Sequence, residues 1–177
     1  MSLLKTIEPD QAEGKVDEIY QNLNDAIGFI PNAFKMFSTN PSMLEQQWHN
    51  IGYYIQHPTL SGKLFASIRM LVSVTQHCEY CIDFNAGMLL NQLGVTPEQL
   101  EAMKQNPENA PLNEKEKSLL VFVIKAVSNS NSVSEVDIQA LRRKDCTDLE
   151  IFDALAHGAR QVSGDILLNA FKVEKDF

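Results

Sequence analysis

Two of the three cysteines in this chain, Cys78 and Cys81, lie three residues apart in Cys-Glu-Tyr-Cys. The stretch around them is predicted to be helical, and at this spacing on a helix two Cβ atoms lie about 5–6 Å apart. A disulfide needs roughly 3.5–4.5 Å between Cβ atoms, so a small rotation would join the pair. The spacing therefore indicates a dithiol that can open and close, which is the basis of thiol–disulfide chemistry.

A reactive dithiol needs neighbouring groups that stabilise the thiolate. The thiolate is the nucleophile, and a free cysteine with a pKa of ~8.5 is mostly protonated at neutral pH. If a helix begins near Cys78, its free N–H groups and positive dipole end favour a thiolate there. His77 lies beside Cys78 and could exchange a proton with either sulfur. On an unbroken helix His77, Cys81 and Asn85 would instead form one ridge, with the Asn85 amide orienting a water or a sulfur.

For other side chains the sequence gives weaker evidence of a role in the site. Tyr80 is either a packing residue or a proton donor. His157 is predicted on the exposed face of the last helix, although the fold could bring it to the cysteines. Cys146 is interpreted as a bystander. Structural zinc normally takes four ligands and one cysteine pair supplies only two, so we predict no metal or other cofactor. A chance pair of buried cysteines remains the alternative to a redox pair.

The elements that would position these residues are all predicted to be helices, because apolar residues recur at helical spacing and no useful alternating pattern is present. A capping box at Thr96–Gln99 and another at Thr147–Glu150 mark two helix starts. A weak internal repeat, Asn85-Ala86 and Asn169-Ala170, places Asp165 opposite Cys81, although two amphipathic helices alone would explain it. The predicted helices cover residues 10–23, 32–38, 43–56, 61–74, 78–93, 97 onward, 113–127, 134–143 and 147–171.

The length, net charge and cysteine count of the chain limit the class of protein to which it can belong. A chain of 177 residues is about one domain long, so we predict a single domain over residues 1–177. A net charge of −8 argues against binding to nucleic acid or to an anionic membrane surface. The longest apolar run, Leu119–Ile124, is too short to span a bilayer, and the N-terminus has no signal-peptide h-region. Few cysteines in odd number fit a cytoplasmic protein with reduced thiols.

The stretch Ala66–Leu93, centred on Cys-Glu-Tyr-Cys, resembles the carboxymuconolactone decarboxylase superfamily on its alkylhydroperoxidase D-like branch. The N-terminal segments Glu13–Tyr20, Gly28–Ala33 and Asn40–Leu44 are similar to the lead-in of the branch's peroxidase-related proteins. The likeness covers most of the chain, with a redox core at about residues 60–94. It implies an all-α helical bundle that assembles as a homo-oligomer, either a trimer or a hexamer.

The resemblance also implies a peroxide-reducing enzyme whose cysteine pair is recharged by a dithiol carrier. On that reading Cys81 attacks the hydroperoxide, because family activation centres on the position four residues after it, and Cys78 resolves the product. The family pattern has a Glu twelve residues before the first cysteine and a His four after the second. Here those positions are Ala66 and Asn85, and His77 is our candidate replacement base.

Two other functions stay open at this point. The missing Glu and His also fit a non-catalytic oligomer whose dithiol is a redox sensor or a relic. A lyase of the carboxymuconolactone decarboxylase type ranks last, because that branch generally lacks the cysteine pair.

Overall fold

The computed structural model describes residues 2–176, and within that range the chain forms nine α-helices and no strand. The all-α prediction is confirmed. Short 3-10 turns cover Pro9–Gln11, Pro107–Asn109 and Ser130–Ser132. The α-helices are α1 (Gly14–Ile27), α2 (Asn32–Phe37), α3 (Pro41–Ile55), α4 (Gly62–Thr75), α5 (Glu79–Asn91), α6 (Pro97–Gln105), α7 (Glu114–Ser128), α8 (Glu135–Arg142) and α9 (Asp148–Ala170).

The chain divides into two compact units, one formed by residues up to Gln56 together with those from Leu167 onward, the other by His57–Ile166. The prediction of a single domain stays a prediction. No helix among the described residues has both the length and the apolar character needed to cross a bilayer.

The first unit has a small core beneath α1. Its buried side chains come from one stripe of α1 and from the two helices that follow, as the helical spacing predicts: Val16, Ile19, Tyr20, Leu23, Phe34 and Leu44. One detail of the prediction is wrong. The first helix begins at Gly14 rather than at residue 10, because Glu13 is extended and Gly14 has φ +57°. Ile55, at helical spacing on the same side of α3 as the buried Leu44, is 75% exposed at the end of that helix.

The second unit is organised around α4, which is buried on nearly all sides and packs on both α5 and α7. A helix that is apolar all round belongs at the centre of a bundle. Ser61 caps α4, and its side chain accepts a hydrogen bond from the Leu64 N–H. The Thr96 and Thr147 capping boxes form as predicted, the second with Glu150 as its reciprocal partner. The candidate site lies entirely within this unit.

Candidate active site

The site is built by a break between α4 and α5. Helix α4 ends at Thr75, and His77 then adopts a left-handed backbone with φ +53°. The Cys78 N–H donates to the Ser73 carbonyl at 3.0 Å, which closes the turn. Cys78 becomes the N-cap of α5, and Cys81 lies in the first turn of that helix. The break therefore places both cysteines at a helix N-terminus, where unpaired N–H groups favour negative charge.

His77 consequently stands outside α5. Of the two arrangements considered from the sequence, a helix that restarts near Cys78 is the one observed, and the ridge of His77, Cys81 and Asn85 does not form. The His77 side chain is exposed at the turn. Its role as a base stays a prediction.

Both thiols of the pair are free and buried, with Cys78 0% exposed and Cys81 7% exposed. A hydrogen bond from the Cys81 thiol lowers the pKa of Cys78; burial opposes this effect, and the Cys81 backbone N–H adds to it. The same bond, together with burial, raises the pKa of Cys81. The arrangement therefore favours a thiolate on Cys78 and a proton on Cys81.

Asp165 is the third member of the cluster, and sequence reasoning missed it. This residue of α9 is fully buried, and a carboxylate oxygen and the two cysteine sulfurs all lie within 4.8 Å of one another. The Ser73 hydroxyl donates to its oxygens at 2.9 and 3.0 Å, and the Gln161 amide donates at 2.7 Å. Burial raises the pKa of Asp165, although hydrogen bonds from Gln161, Cys81, Ser73 and Cys78 oppose the rise. The only signal in the sequence was the weak repeat that set Asp165 opposite Cys81.

Asn85 is buried and both ends of its amide are engaged. Its Nδ2 donates to the Cys81 carbonyl at 2.8 Å, and its Oδ1 accepts from Arg69 Nε at 2.6 Å. It therefore positions a guanidinium rather than a sulfur, unlike the prediction from spacing. Burial lowers the pKa of Arg69 to about 10, so Arg69 remains a cation at neutral pH, and the charge of Cys81 opposes the lowering. A thiolate on Cys81 would be correspondingly stabilised by Arg69.

His157 contacts Arg69 and is buried, so the prediction that it lies on the exposed face of the last helix is wrong. The ring is 6% exposed and packs edge-on against Phe65, with centroids 4.9 Å apart. Its Nε2 lies 3.2 Å from Arg69 Nη1. Burial, with a smaller contribution from the Arg69 charge, holds the pKa of His157 well below its usual range. A neutral imidazole there accepts from Arg69.

Three further residues considered from the sequence, Tyr80, Ala66 and Cys146, are also buried. The Tyr80 ring is buried and stacks nearly parallel on Phe84, at 6.2 Å between centroids. Ala66, twelve residues before Cys78, is fully buried in α4. Cys146 precedes α9, with its sulfur 3.9 Å from the Ser118 hydroxyl, and burial raises its pKa.

Cys78, Cys81 and Asp165 form the one group of three close donors of metal-ligand type found among residues 2–176. A structural zinc site needs a fourth protein ligand. The Asp165 carboxylate is already held by Ser73 and Gln161. That no metal is required stays a prediction.

Comparisons with known proteins support the fold. No protein-family model matches the chain, and no curated protein matches it either. Among solved structures, it is similar to an uncharacterized peroxidase-related protein from Ralstonia eutropha JMP134, described as an alkylhydroperoxidase AhpD core. The TM-score is 0.86 at 20% identity, covering 99% of this chain and 92% of that one.

Two further solved structures have the same fold. An uncharacterized peroxidase-related protein from Silicibacter sp. TM1040 gives a TM-score of 0.83 at 21% identity, covering 98% of this chain and 91% of that one. The debrominase Bmp8 gives 0.75 at 18% identity, covering 98% and 92%. The resemblance drawn from the sequence is thus confirmed at the level of the fold.

Proposed function

We propose that this chain, which has the alkylhydroperoxidase D-like fold, is a dithiol oxidoreductase that reduces hydroperoxides with Cys78 and Cys81. The observation that carries the proposal is the cluster of two free thiols and a carboxyl group at the start of α5. These are the groups that a two-electron reduction needs, namely a nucleophile, a resolving thiol and a group that exchanges protons. Reduced thiols also fit the expected cytoplasmic location.

The electrostatics of the pair favour Cys78 as the attacking residue, as the helix-terminus argument also did, whereas the family resemblance pointed to Cys81. Its sulfur receives hydrogen bonds from the Cys81 thiol and the Cys81 N–H, which stabilise the thiolate. In the proposed reaction, the Cys78 thiolate bonds to one peroxide oxygen, the O–O bond breaks, and the alkoxide leaves as an alcohol after protonation. Cys81 then attacks the sulfenic sulfur, the disulfide forms and water leaves. A dithiol donor restores the pair.

The debrominase among the structural neighbours suggests a second electron acceptor for the same dithiol. Reduction of a carbon–bromine bond also consumes two electrons, and gives the hydrogen-substituted product, bromide and the Cys78–Cys81 disulfide. The buried, free dithiol seen here could supply those electrons. We rank this function second, because the shared fold is its only other support.

The test starts from one reduced sample of the full chain. Organic hydroperoxide is added with and without a small-molecule dithiol, and peroxide loss and peptide masses are followed together. We expect a Cys78–Cys81 disulfide, and many peroxides consumed per subunit when the dithiol is present. Cys81→Ser should trap a sulfenic acid on Cys78, and Cys78→Ser should lose at least about 100-fold in oxidation rate. A sulfenic acid on Cys81 in Cys78→Ser would reverse the assignment.

Cys146→Ser is the matched control, because Cys146 is also buried but lies in a different part of this unit. It should turn over like the unmodified protein. A disulfide that forms once without turnover would favour the redox-sensor function. Bromide release from a small bromopyrrole, without peroxide turnover, would favour the dehalogenase function. Decarboxylation of a muconolactone by protein lacking both thiols would favour the lyase.

A further inference from the structure

The residues next to the two cysteines in the sequence do not account for the proton transfers that the reaction needs. Forming a disulfide from two thiols and a hydroperoxide requires one proton on the alcohol and one on the water that leave. Ala66 has no titratable group, and the Asn85 amide is held between Arg69 and the Cys81 carbonyl. Some other group must move those protons if the proposed function is correct.

We propose that Asp165 is a catalytic residue that carries the proton between the Cys78–Cys81 dithiol and the leaving oxygens. Its carboxyl oxygen lies within 4.8 Å of both sulfurs, and the thiols of Cys78 and Cys81 both donate hydrogen bonds to the carboxylate. It comes from α9, whereas the cysteines come from the start of α5, so the cluster exists only in the folded second unit.

The surroundings of Asp165 suit a group that must change its protonation state. Ser73 and Gln161 fix the carboxyl group through donated hydrogen bonds, and Gln161 also donates to the Ser73 hydroxyl at 3.1 Å. Neither partner is a cation that would trap the carboxylate. Burial raises the pKa of Asp165, which makes its carboxylate a stronger base toward a neighbouring thiol than an exposed carboxylate would be.

The proton balance closes with this one carrier. Asp165 accepts the proton of the Cys78 thiol, the thiolate that results attacks the peroxide oxygen, and the carboxylic acid gives the proton to the departing alkoxide. When Cys81 attacks the sulfenic sulfur, its proton passes to Asp165 and on to the hydroxide, which leaves as water. Two thiols and one hydroperoxide thereby become a disulfide, an alcohol and water.

The two histidines considered from the sequence are placed less well for this task. His77 lies at the exposed turn before α5. His157 is committed to Arg69 and to packing on Phe65. The titratable groups of the site are Cys78, Cys81 and Asp165, which act on one another. The charge of Arg69 acts on Cys81.

Asp165→Asn tests the proposal, because it preserves size and keeps one accepting oxygen but cannot carry the proton. We expect the rate of peroxide-driven Cys78–Cys81 disulfide formation at pH 7 to fall about 100-fold. The loss should shrink as pH rises, because bulk hydroxide then removes the thiol proton directly. A purely structural role would lower the rate without this change in pH profile.

Asp153→Asn is the matched control, because Asp153 is also a buried aspartate on α9 and pairs instead with His57 at 3.2 Å. Its rate and pH profile should match those of the unmodified protein. His77→Asn tests the rival base and keeps a residue that tolerates the left-handed backbone. A 100-fold loss in His77→Asn, with Asp165→Asn unchanged, would overturn the proposal.

A measurement on the unmodified protein covers the case in which Asp165→Asn does not fold. Infrared difference spectra between the reduced and oxidised protein should contain a carboxylic-acid C=O band that shifts in heavy water, because the dithiol that contacts Asp165 is lost on oxidation. Absence of any carboxyl band would contradict the proposal. If the unmodified protein forms no disulfide with peroxide, the proposed function fails; if it does and Asp165→Asn matches it at every pH, only the role of Asp165 fails.

Discussion

Asp165 is a residue whose chemical role would come at a cost in stability. A carboxyl group with no exposed surface is desolvated, and its neighbours in the second unit are thiols, a hydroxyl and an amide rather than a cation. Burial raises its pKa above the ordinary value of 3.8, so the folded protein holds a proton that the unfolded chain has already released. The free energy of unfolding therefore falls as pH rises from about 4 through the folded-state pKa.

Asp165→Asn should remove that dependence. We expect the reduced variant to gain stability relative to the unmodified protein as the pH is raised from 4 to 7, since an amide has no charge to bury. Urea unfolding under reducing conditions, repeated across this range, measures the difference. A stability difference that is the same at every pH would contradict the burial argument.

The sequence predicts the cysteine pair but not the carboxyl group, and the reason is distance along the chain. Cys78 and Cys81 are neighbours on one helix turn, so their spacing alone brings them together. Asp165 meets Ser73 across 92 residues, and no local pattern encodes that contact. His157 and Asn85 show the same limit, because the partner that defines each of them is Arg69, a residue of another helix.

At the scale of elements, α9 approaches α7 at a position where a side chain does not fit. A Cβ added to Gly158 would lie 2.5 Å from Val123 Cγ1, and Val123 is fully buried and has a short, branched side chain. Gly158 is therefore required by packing, even though glycine in a helix interior costs about 1 kcal/mol relative to alanine.

Gly158→Ala should lower the free energy of unfolding by up to about 2 kcal/mol, because overpacking costs about 1–3 kcal/mol and helix propensity returns about 1. Gly164→Ala on the same helix is the control, since nothing lies within 4 Å of its added Cβ. That variant should be as stable as the unmodified protein or slightly more so. Urea unfolding of the pair, read side by side, checks the sign of each change.

Helix existence was predictable here, and the critical break was predictable only in part. Caps and apolar spacing locate most of the elements, as Ser61, Thr96 and Thr147 show. The left-handed backbone of His77 has no such signal, because histidine is not a residue that the turn requires. That backbone arises where the chain must leave α4 and return the Cys78 N–H to the Ser73 carbonyl.

At the scale of the whole molecule, one side of α9 is exposed and largely apolar. Exposed apolar residues at helical spacing form this stripe, among them Leu149, Phe152, Ala159 and Ile166. Phe152 is 70% exposed. Large apolar side chains on one stripe are typical of a face that packs on another helix. We propose that a second copy of this chain covers this face.

We therefore expect a homo-oligomer, with a mass that is a multiple of the 19.9 kDa chain, in size-exclusion chromatography with light scattering. Phe152→Glu should reduce it toward the monomer, because burying a carboxylate at the interface is costly. Ala140→Glu, which adds the same charge at an exposed position of α8, should leave the mass unchanged. A single species of about 20 kDa for the unmodified protein would refute the expectation.

The burial of both sulfurs has a consequence for what the dithiol can discriminate. With Cys78 and Cys81 at 0% and 7% exposure, a reagent reaches them only by passing through the packing around α5 or by waiting for that packing to open. The rate of oxidation would then depend on the size of the oxidant more than on its chemical reactivity. The rates at which alkylating agents of increasing size modify the two cysteines would measure how far that packing opens.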